Sequence, residues 1–164
     1  MSTRNSNFQL AEINIARALH PLDDPRLADF VRQINAVNEL AERSPGFVWR
    51  LVGDAGEPSS YVRAFPDPHM LVNMSVWESI EALHAYVYRS GHVEVVRARR
   101  NWFETMREPW LAMWWVPRGT IPTIEEGKAR LEHLRREGTS AHAFTFKQPF
   151  AADGRALSLA TAGS

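Results

Sequence analysis

The chain has 164 residues and contains no cysteine, which excludes disulfides, thiolate nucleophiles and sulfur-ligated metals. Its 19 lysines and arginines balance its 19 aspartates and glutamates, and this charge argues against nucleic-acid and anionic-membrane partners. The length fits one domain, and the lack of a signal peptide or a long apolar run predicts a cytoplasmic protein.

The first half of the chain predicts three strands and one helix. Alternating apolar residues indicate strands, and Asp24 followed by Pro25 is typical of a helix start. In order, the predicted elements are a flexible tail at 1–7, a strand at 8–16, a helix from Asp24 to about Arg43, and strands at 47–52 and 71–77.

The second half predicts a long helical region, a fourth strand and a further helix. A break is expected near Ser90 and Gly91, and Thr123 with Glu126 forms a capping box that opens the last helix. In order, the predicted elements are a helical region at 79–107, a strand at 110–116, a helix from Thr123 ended by Gly138, a short strand at 143–147, and a flexible tail at 149–164.

The order β-α-β-β-α-β, with an added helix and strand, predicts a single α+β domain at 8–148. It is the split ferredoxin-like arrangement, an antiparallel sheet with helices on one face. The third and fourth strands are apolar on both faces, so the second face also needs a cover. We therefore predict a homodimer packed sheet to sheet; in the alternative, the last helix and the tail cover that face.

Polar residues interrupt otherwise apolar strand faces at Asn14, Asn73 and Ser75. An unpaired buried amide costs about 1–3 kcal/mol, so these side chains predict either a small-molecule cavity or a structural hydrogen-bond network. The other candidates for the cavity lining are Arg50, Trp49, Trp77, Tyr88, His92 and Trp102.

The stretch from Tyr86 to Phe103 places a histidine, arginines and large aromatic residues on one predicted helix. His92 has an ordinary pKa near neutrality, which suits a general base. Arg89 and Arg99 are candidates to bind a carboxylate or phenolate of a ligand. The histidine spacing predicts no metal site.

Trp77, the segment ESIEAL and the segment YRSGH resemble the second-helix signature of the dimeric α/β-barrel superfamily, which includes antibiotic-biosynthesis-type and haem-degrading monooxygenases. Three longer strings are more specifically similar to an uncharacterised bacterial branch of that superfamily, a domain of unknown function: PLDDPRLADFVRQINAVNELAERSPGFVWRL, VNMSVWESIEALHAYVYRSGH and WWVPRGTIPTIEEG. The resemblance covers about residues 8–147 and implies fold more than activity.

By this resemblance, His92 corresponds to the cavity-facing Ser-x-His position and Asn14 to a strand asparagine of haem-degrading and cofactor-free members. Haem-degrading members carry a tryptophan before the histidine, where this chain has Tyr86 and Tyr88. The resemblance thus implies a cofactor-independent monooxygenase-like enzyme acting on a hydrophobic aromatic compound, with His92 as base and Asn14, Asn73 or Arg50 holding the oxyanion. The alternatives are a non-catalytic ligand-binding or stress-associated dimer and a haem-binding protein with His92 as axial ligand.

Overall fold

The computed structural model describes residues 7–89 and 101–158, with the side chain of Arg89 excepted. Its elements are β1 (Phe8–Arg17), α1 (Ala28–Arg43), β2 (Phe47–Arg50), β3 (Met70–Trp77), α2 (Ile80–Arg89), β4 (Leu111–Pro117) and α3 (Ile124–Glu137). The four strands form one antiparallel sheet in the order β2-β3-β1-β4, which is the ferredoxin-like strand order. The predicted α+β fold with an antiparallel sheet is confirmed, with four strands in the described residues in place of the five predicted.

The helix boundaries follow from the capping residues in the sequence. The Asp24 side chain accepts a hydrogen bond from the Arg26 backbone N–H at 2.8 Å, and a single 3-10 turn leads into α1. At α3, the Thr123 hydroxyl accepts from the Glu126 N–H at 3.1 Å. Gly138 ends that helix with a φ of 82°, a conformation that other residues rarely adopt.

Helices lie on both faces of the sheet, not on one face as the sequence predicted. Side chains of α1 and α2 pack on the face that carries Leu10 and Trp77. The opposite face, which carries Ile13 and Met74, packs against α3 and the segment at 51–65. The chain therefore covers its own second face with the last helix, as in the alternative considered above, but with residues 51–65 in place of the tail, which packs on the other face. The sheet-to-sheet homodimer stays a prediction without that support.

The described part of the long predicted helix ends at Arg89, and residues 90–100 lie outside the described residues. Residues 101–107, which we expected to be helical, instead run beside the end of β1. The Leu19 N–H donates to the Trp102 carbonyl at 2.7 Å, and the Glu104 N–H donates to the Arg17 carbonyl at 2.8 Å. These bonds to the end of β1 and the residues just after it replace the bonds that a helix would have made within itself.

The C-terminal part is more ordered than its composition suggested. The predicted strand at 143–147 is replaced by isolated bridges, and the one that joins the sheet pairs Phe144 with Met113, which exchange backbone hydrogen bonds of 2.8 and 2.9 Å. Residues 149–158, predicted as part of a flexible tail, lie against the sheet, since Phe150 and Leu157 pack beside Trp115. The Trp115 indole N–H donates to the Phe150 carbonyl at 2.8 Å. Apolar contacts and backbone hydrogen bonds, such as that from the Leu157 N–H to the Pro149 carbonyl at 2.9 Å, thus hold this segment in place.

None of the helices in the described part of the chain is both long and apolar enough to cross a membrane.

Candidate functional site

A cavity of about 360 Å³ lies between the sheet and the two helices α1 and α2. This volume falls within the usual range of small-molecule sites. Its floor is the middle of β1 and β3, and its walls are mostly apolar and aromatic side chains, among them Phe30, Val37, Leu83, Tyr86, Phe103 and Phe146. Tyr88 also lines the cavity and is 55% exposed, so it lies where the cavity meets solvent.

Glu12 lies on the floor of this cavity and is only 2% exposed. Ser75 Oγ donates a hydrogen bond to Glu12 Oε2 at 2.6 Å, and Asn14 Nδ2 donates to Glu12 Oε1 at 2.9 Å. Burial raises the pKa of the Glu12 carboxyl to about 7, and the two hydrogen bonds offset only part of that effect. Among the described residues no lysine or arginine forms an ion pair with Glu12.

A tryptophan directs the Ser75 hydroxyl toward Glu12. The Trp77 indole N–H donates to Ser75 Oγ at 2.8 Å, and both side chains are buried. The Ser75 oxygen accepts from the indole N–H with one of its two lone pairs, and the single hydroxyl proton is donated to the Glu12 carboxylate. The chain Trp77, Ser75, Glu12 therefore holds the carboxyl group in one position.

The register between β1 and β3 explains why these polar groups meet. Glu12 is directly opposite Ser75, and Asn14 is directly opposite Asn73. Residues two apart on a strand share a face, so these two pairs form a polar row on the side facing the cavity. Asn73 Oδ1 accepts from Ser59 Oγ at 3.2 Å. Among the described residues, Asn73 Nδ2 has no acceptor, and its N–H groups are available to a ligand.

Tyr86 packs over the Trp77 end of the polar row. Its ring stacks on Trp77 with centroids 5.1 Å apart, and its hydroxyl donates to the Val37 carbonyl at 3.3 Å. Burial, together with the nearby Glu12 charge, raises the pKa of the Tyr86 hydroxyl far above its usual value. Tyr86 therefore stays protonated at neutral pH and acts as wall and donor, not as a base.

The structure brings together part of the predicted site. Asn14, Asn73, Ser75 and Tyr88 all line the cavity. Trp77 lies behind the lining and acts on it through Ser75.

Other predicted residues lie elsewhere. Trp49 packs on the opposite face of the sheet, because it pairs with Val76 of that face. Trp102 is buried in a separate cluster with its ring 5.5 Å from that of Phe30, and its neighbour Phe103 lines the cavity instead. Arg50 forms an ion pair with Glu42 at 2.8 Å and is not part of the lining.

Three predicted residues are not placed by the structure. His92 and Arg99 lie outside the described residues, as does the side chain of Arg89. The roles assigned to them from the sequence stay predictions. Within the described ranges no three histidine, aspartate or glutamate side chains gather where they could hold a metal ion.

Sequence reasoning missed Glu12, which is the central residue of the cavity. The signal was present in the strand FQLAEINIAR, where Glu12 and Asn14 are two residues apart and share a face. A carboxylate in the middle of an apolar strand is as unusual as an asparagine there. From the sequence, Asn14 was singled out on this face and Glu12 was not.

A family model described as a domain of unknown function, DUF3291, matches residues 9–160. No curated protein matches the sequence. Solved structures with a similar chain path include SnoaB, a cofactor-independent oxygenase from Streptomyces nogalater, with 17% identity and a TM-score of 0.48 over 70% of this chain and 98% of SnoaB.

Two further similar structures have no activity in their descriptions. NE2512 of Nitrosomonas europaea, described as a protein of unknown function, is 13% identical with a TM-score of 0.45, covering 71% of this chain and 95% of that one. PA3566 of Pseudomonas aeruginosa is 12% identical with a TM-score of 0.43, covering 68% and 95%. All three TM-scores lie below 0.5.

Proposed function

The chain belongs to the DUF3291 family, a domain of unknown function, and we propose that it is a small-molecule enzyme in which Glu12 removes a proton from a hydrophobic aromatic compound. The observation that carries this proposal is the buried Glu12 carboxyl group on the floor of an apolar cavity. With a pKa of about 7, a substantial fraction of Glu12 is ionised at neutral pH and still basic enough to accept a proton.

The cavity walls favour an apolar, aromatic ligand. Most lining side chains outside the polar row are aliphatic or aromatic, and none of the described ones is a lysine or arginine. An aromatic ring packs well against such walls, and a weakly acidic C–H or O–H on it would face Glu12. When Glu12 takes the proton, charge moves to the ligand, and Asn73 Nδ2 can donate to an oxygen that becomes negative.

The sequence resembles the monooxygenases of the dimeric α/β-barrel superfamily. The reaction that fits this resemblance is oxygenation by O2 without a cofactor. Glu12 removes a proton from a ring CH2 group, and the resulting carbanion adds to O2 and gives a hydroperoxide after protonation. Loss of water then leaves a ketone, so that CH2 and O2 become C=O and H2O. The carbon loses four electrons and O2 gains four. In this scheme Asn14 positions Glu12 through its 2.9 Å hydrogen bond, which departs from the direct role predicted for it.

Oxygen uptake with a panel of anthrones and hydroquinones tests this proposal. Glu12→Gln keeps the shape of the side chain and removes the base, and we expect uptake to fall by about 100-fold or more. Glu132→Gln is the matched control, because Glu132 is exposed on α3 on the opposite side of the sheet, and it should leave uptake unchanged. Equal uptake by wild type and Glu12→Gln would remove Glu12 from the mechanism.

The other functions considered from the sequence give different results in the same experiment. A non-catalytic ligand-binding protein would bind these compounds without consuming oxygen. The haem-binding alternative depends on His92, which is outside the described residues. A Soret band on haem titration that is lost in His92→Ala would support it. The predicted homodimer is tested by native mass spectrometry, where a monomer would contradict it.

A further inference from the structure

The end of the cavity farthest from Trp77 along β3 carries a second group of polar side chains. Ser59 and Ser60 form a single 3-10 turn beside β3, and both line the cavity together with Asn73. Two backbone bonds hold the turn, from the Tyr61 N–H to the Pro58 carbonyl at 3.0 Å and from the Val62 N–H to the Ser59 carbonyl at 2.9 Å. The serines are therefore presented by a fixed backbone.

The two serines differ in their hydrogen bonding. Ser59 Oγ donates to Asn73 Oδ1 at 3.2 Å, which fixes the amide so that its Nδ2 is left for a ligand. Ser60 is 7% exposed, and its buried Oγ has no hydrogen-bond partner in the described part of the chain. Folded proteins leave few buried hydroxyl groups without a partner, and those that remain call for an explanation. Here the hydroxyl belongs to a residue that lines the candidate ligand cavity.

We infer that Ser60 and Asn73 form a subsite for an oxygen of the ligand, a carbonyl or hydroxyl group that is uncharged until Glu12 takes the proton, at the opposite end from the group that faces Glu12. The inference rests on the proposed function, because it takes the acidic group of the ligand to face Glu12. Rotation about the Cα–Cβ bond moves Ser60 Oγ between three staggered positions. A ligand oxygen would supply the missing partner in one of them and accept from Asn73 Nδ2 as well.

The spacing of the two ends sets the substrate class. Ser75 and Asn73 are two residues apart on β3, so the Glu12 end and the Asn73 end are separated by about 7 Å along the strand. That separation suits groups at opposite ends of an aromatic ring better than groups on neighbouring atoms. The subsite therefore selects an aromatic compound with an acidic group at one end and a carbonyl or hydroxyl group at the other.

Two simple probes separate the ends of the cavity. In 4-hydroxyacetophenone a phenol and a ketone lie across one ring, and 4-ethylphenol has nearly the same shape without the ketone oxygen. Isothermal titration calorimetry gives the dissociation constant of each. We expect Ser60→Ala to weaken binding of 4-hydroxyacetophenone by about fivefold, the typical effect of one hydrogen bond, and to leave 4-ethylphenol unchanged.

The unfolding temperatures of the ligand-free variants give a second readout. Ser60→Ala should leave the temperature unchanged or raise it, because it removes a buried hydroxyl that has no partner. Ser59→Ala is the matched variant of the neighbouring residue and should lower the temperature, because it breaks the bond to Asn73. If Ser60→Ala is destabilised as much as Ser59→Ala, its hydroxyl has a structural partner and the subsite is wrong.

The outcomes for the subsite and for the proposed function are distinguishable. If Ser60→Ala binds both probes as tightly as wild type does, or binds both more weakly by the same factor, the subsite is overturned. This holds whatever the effect of Glu12→Gln on oxygen uptake. If Ser60→Ala weakens binding of 4-hydroxyacetophenone alone, while Glu12→Gln keeps full oxygen uptake, the subsite stands and the proposed chemistry fails. Wild-type protein that binds neither probe up to its solubility also overturns the subsite.

Discussion

The two faces of the sheet come from alternate residues of the same strands, yet one is filled and the other encloses a cavity. On one face, Ile13 and Met74 contact α3 at Gly127, where an added Cβ would lie 2.9 Å from Ile13 Cδ1. On the other face, Glu12 and Asn14 lie under a space of about 360 Å³. The pleat therefore places neighbouring residues of β1 alternately in a filled core and in the lining of a cavity.

Aromatic pairs account for the space on the second face. Trp77 and Tyr86 stack at one end of the polar row, and Phe30 packs with Trp102 beside Leu71 at the other. These bulky contacts hold the two helices away from the middle of the sheet, where the side chains are shorter. On the first face, the absence of a side chain at Gly127 lets α3 approach closely.

The largest expected stability effect is the pH dependence due to Glu12. Its pKa is 4.5 in the unfolded chain and about 7 in the folded protein, so the folded state binds more protons between these values. Stability from this group is therefore full below pH 4.5 and is lost as the pH rises through 7, by on the order of 3 kcal/mol. Urea unfolding from pH 4 to 8.5 measures it.

Glu12→Gln should lack this part of the pH dependence, and Glu132→Gln on the filled side of the sheet should retain it. The comparison uses the change with pH within each variant, because the glutamine also alters the hydrogen bonds to Ser75 and Asn14. Parallel curves for wild type and Glu12→Gln would show that the pKa of Glu12 is the same in the folded and unfolded states, against the raised pKa.

Two substitutions that introduce a larger side chain, one on each face of the sheet, compare how tightly the two faces are packed. Gly127→Val should destabilise the protein by about 1–3 kcal/mol, because the new side chain meets Ile13 and Met74 in a filled core. Ala16→Leu places extra atoms into the cavity lining, so it should change stability by less than about 1 kcal/mol and weaken probe binding. Equal destabilisation by the two substitutions, in urea unfolding, would mean that the cavity face is filled as tightly as the other.

The smallest effect concerns the hydrogen bond from Ser75. Ser75→Ala removes a donor that favours the charged form of Glu12, so the pKa of Glu12 should rise further, by about one unit. Carbon-13 NMR of the glutamate carboxyl groups over pH 5 to 9 measures the shift. Ser59→Ala is the control, because Ser59 bonds to Asn73 and not to Glu12, and a similar shift in that variant would contradict the assigned role of Ser75.

Much of the fold was predictable from local signals. The caps at Asp24 and Thr123, the C-cap at Gly138 and the strand alternation each act within a few residues, so they are visible in the sequence. The helix predicted through residues 101–107 was wrong because bonds to Arg17 and Leu19 of a distant segment replaced its own. The docking of residues 149–158 was missed because it depends on Phe150 and Leu157 meeting a surface formed by other elements.

The candidate site was only half predictable for the same reason. The polar character of Asn14, Asn73 and Ser75 follows from residue type and strand period, and all three line the cavity. Trp49 was placed on the wrong face, since the register shifts between Phe47 and Trp49 and no local pattern shows this. Glu12 was missed because its burial depends on which helices cover its face.

The sequence by itself determined the strand and helix types, their order, their caps and the polar positions on the strands, because these depend on neighbouring residues. Only the tertiary structure decided that α3 fills one face and that Glu12 lies beneath a cavity on the other. The pKa of Glu12 is set by burial, and burial is a property of the packed elements together. The pKa of Glu12 is raised because the helices that cover the residue exclude water from its carboxyl group.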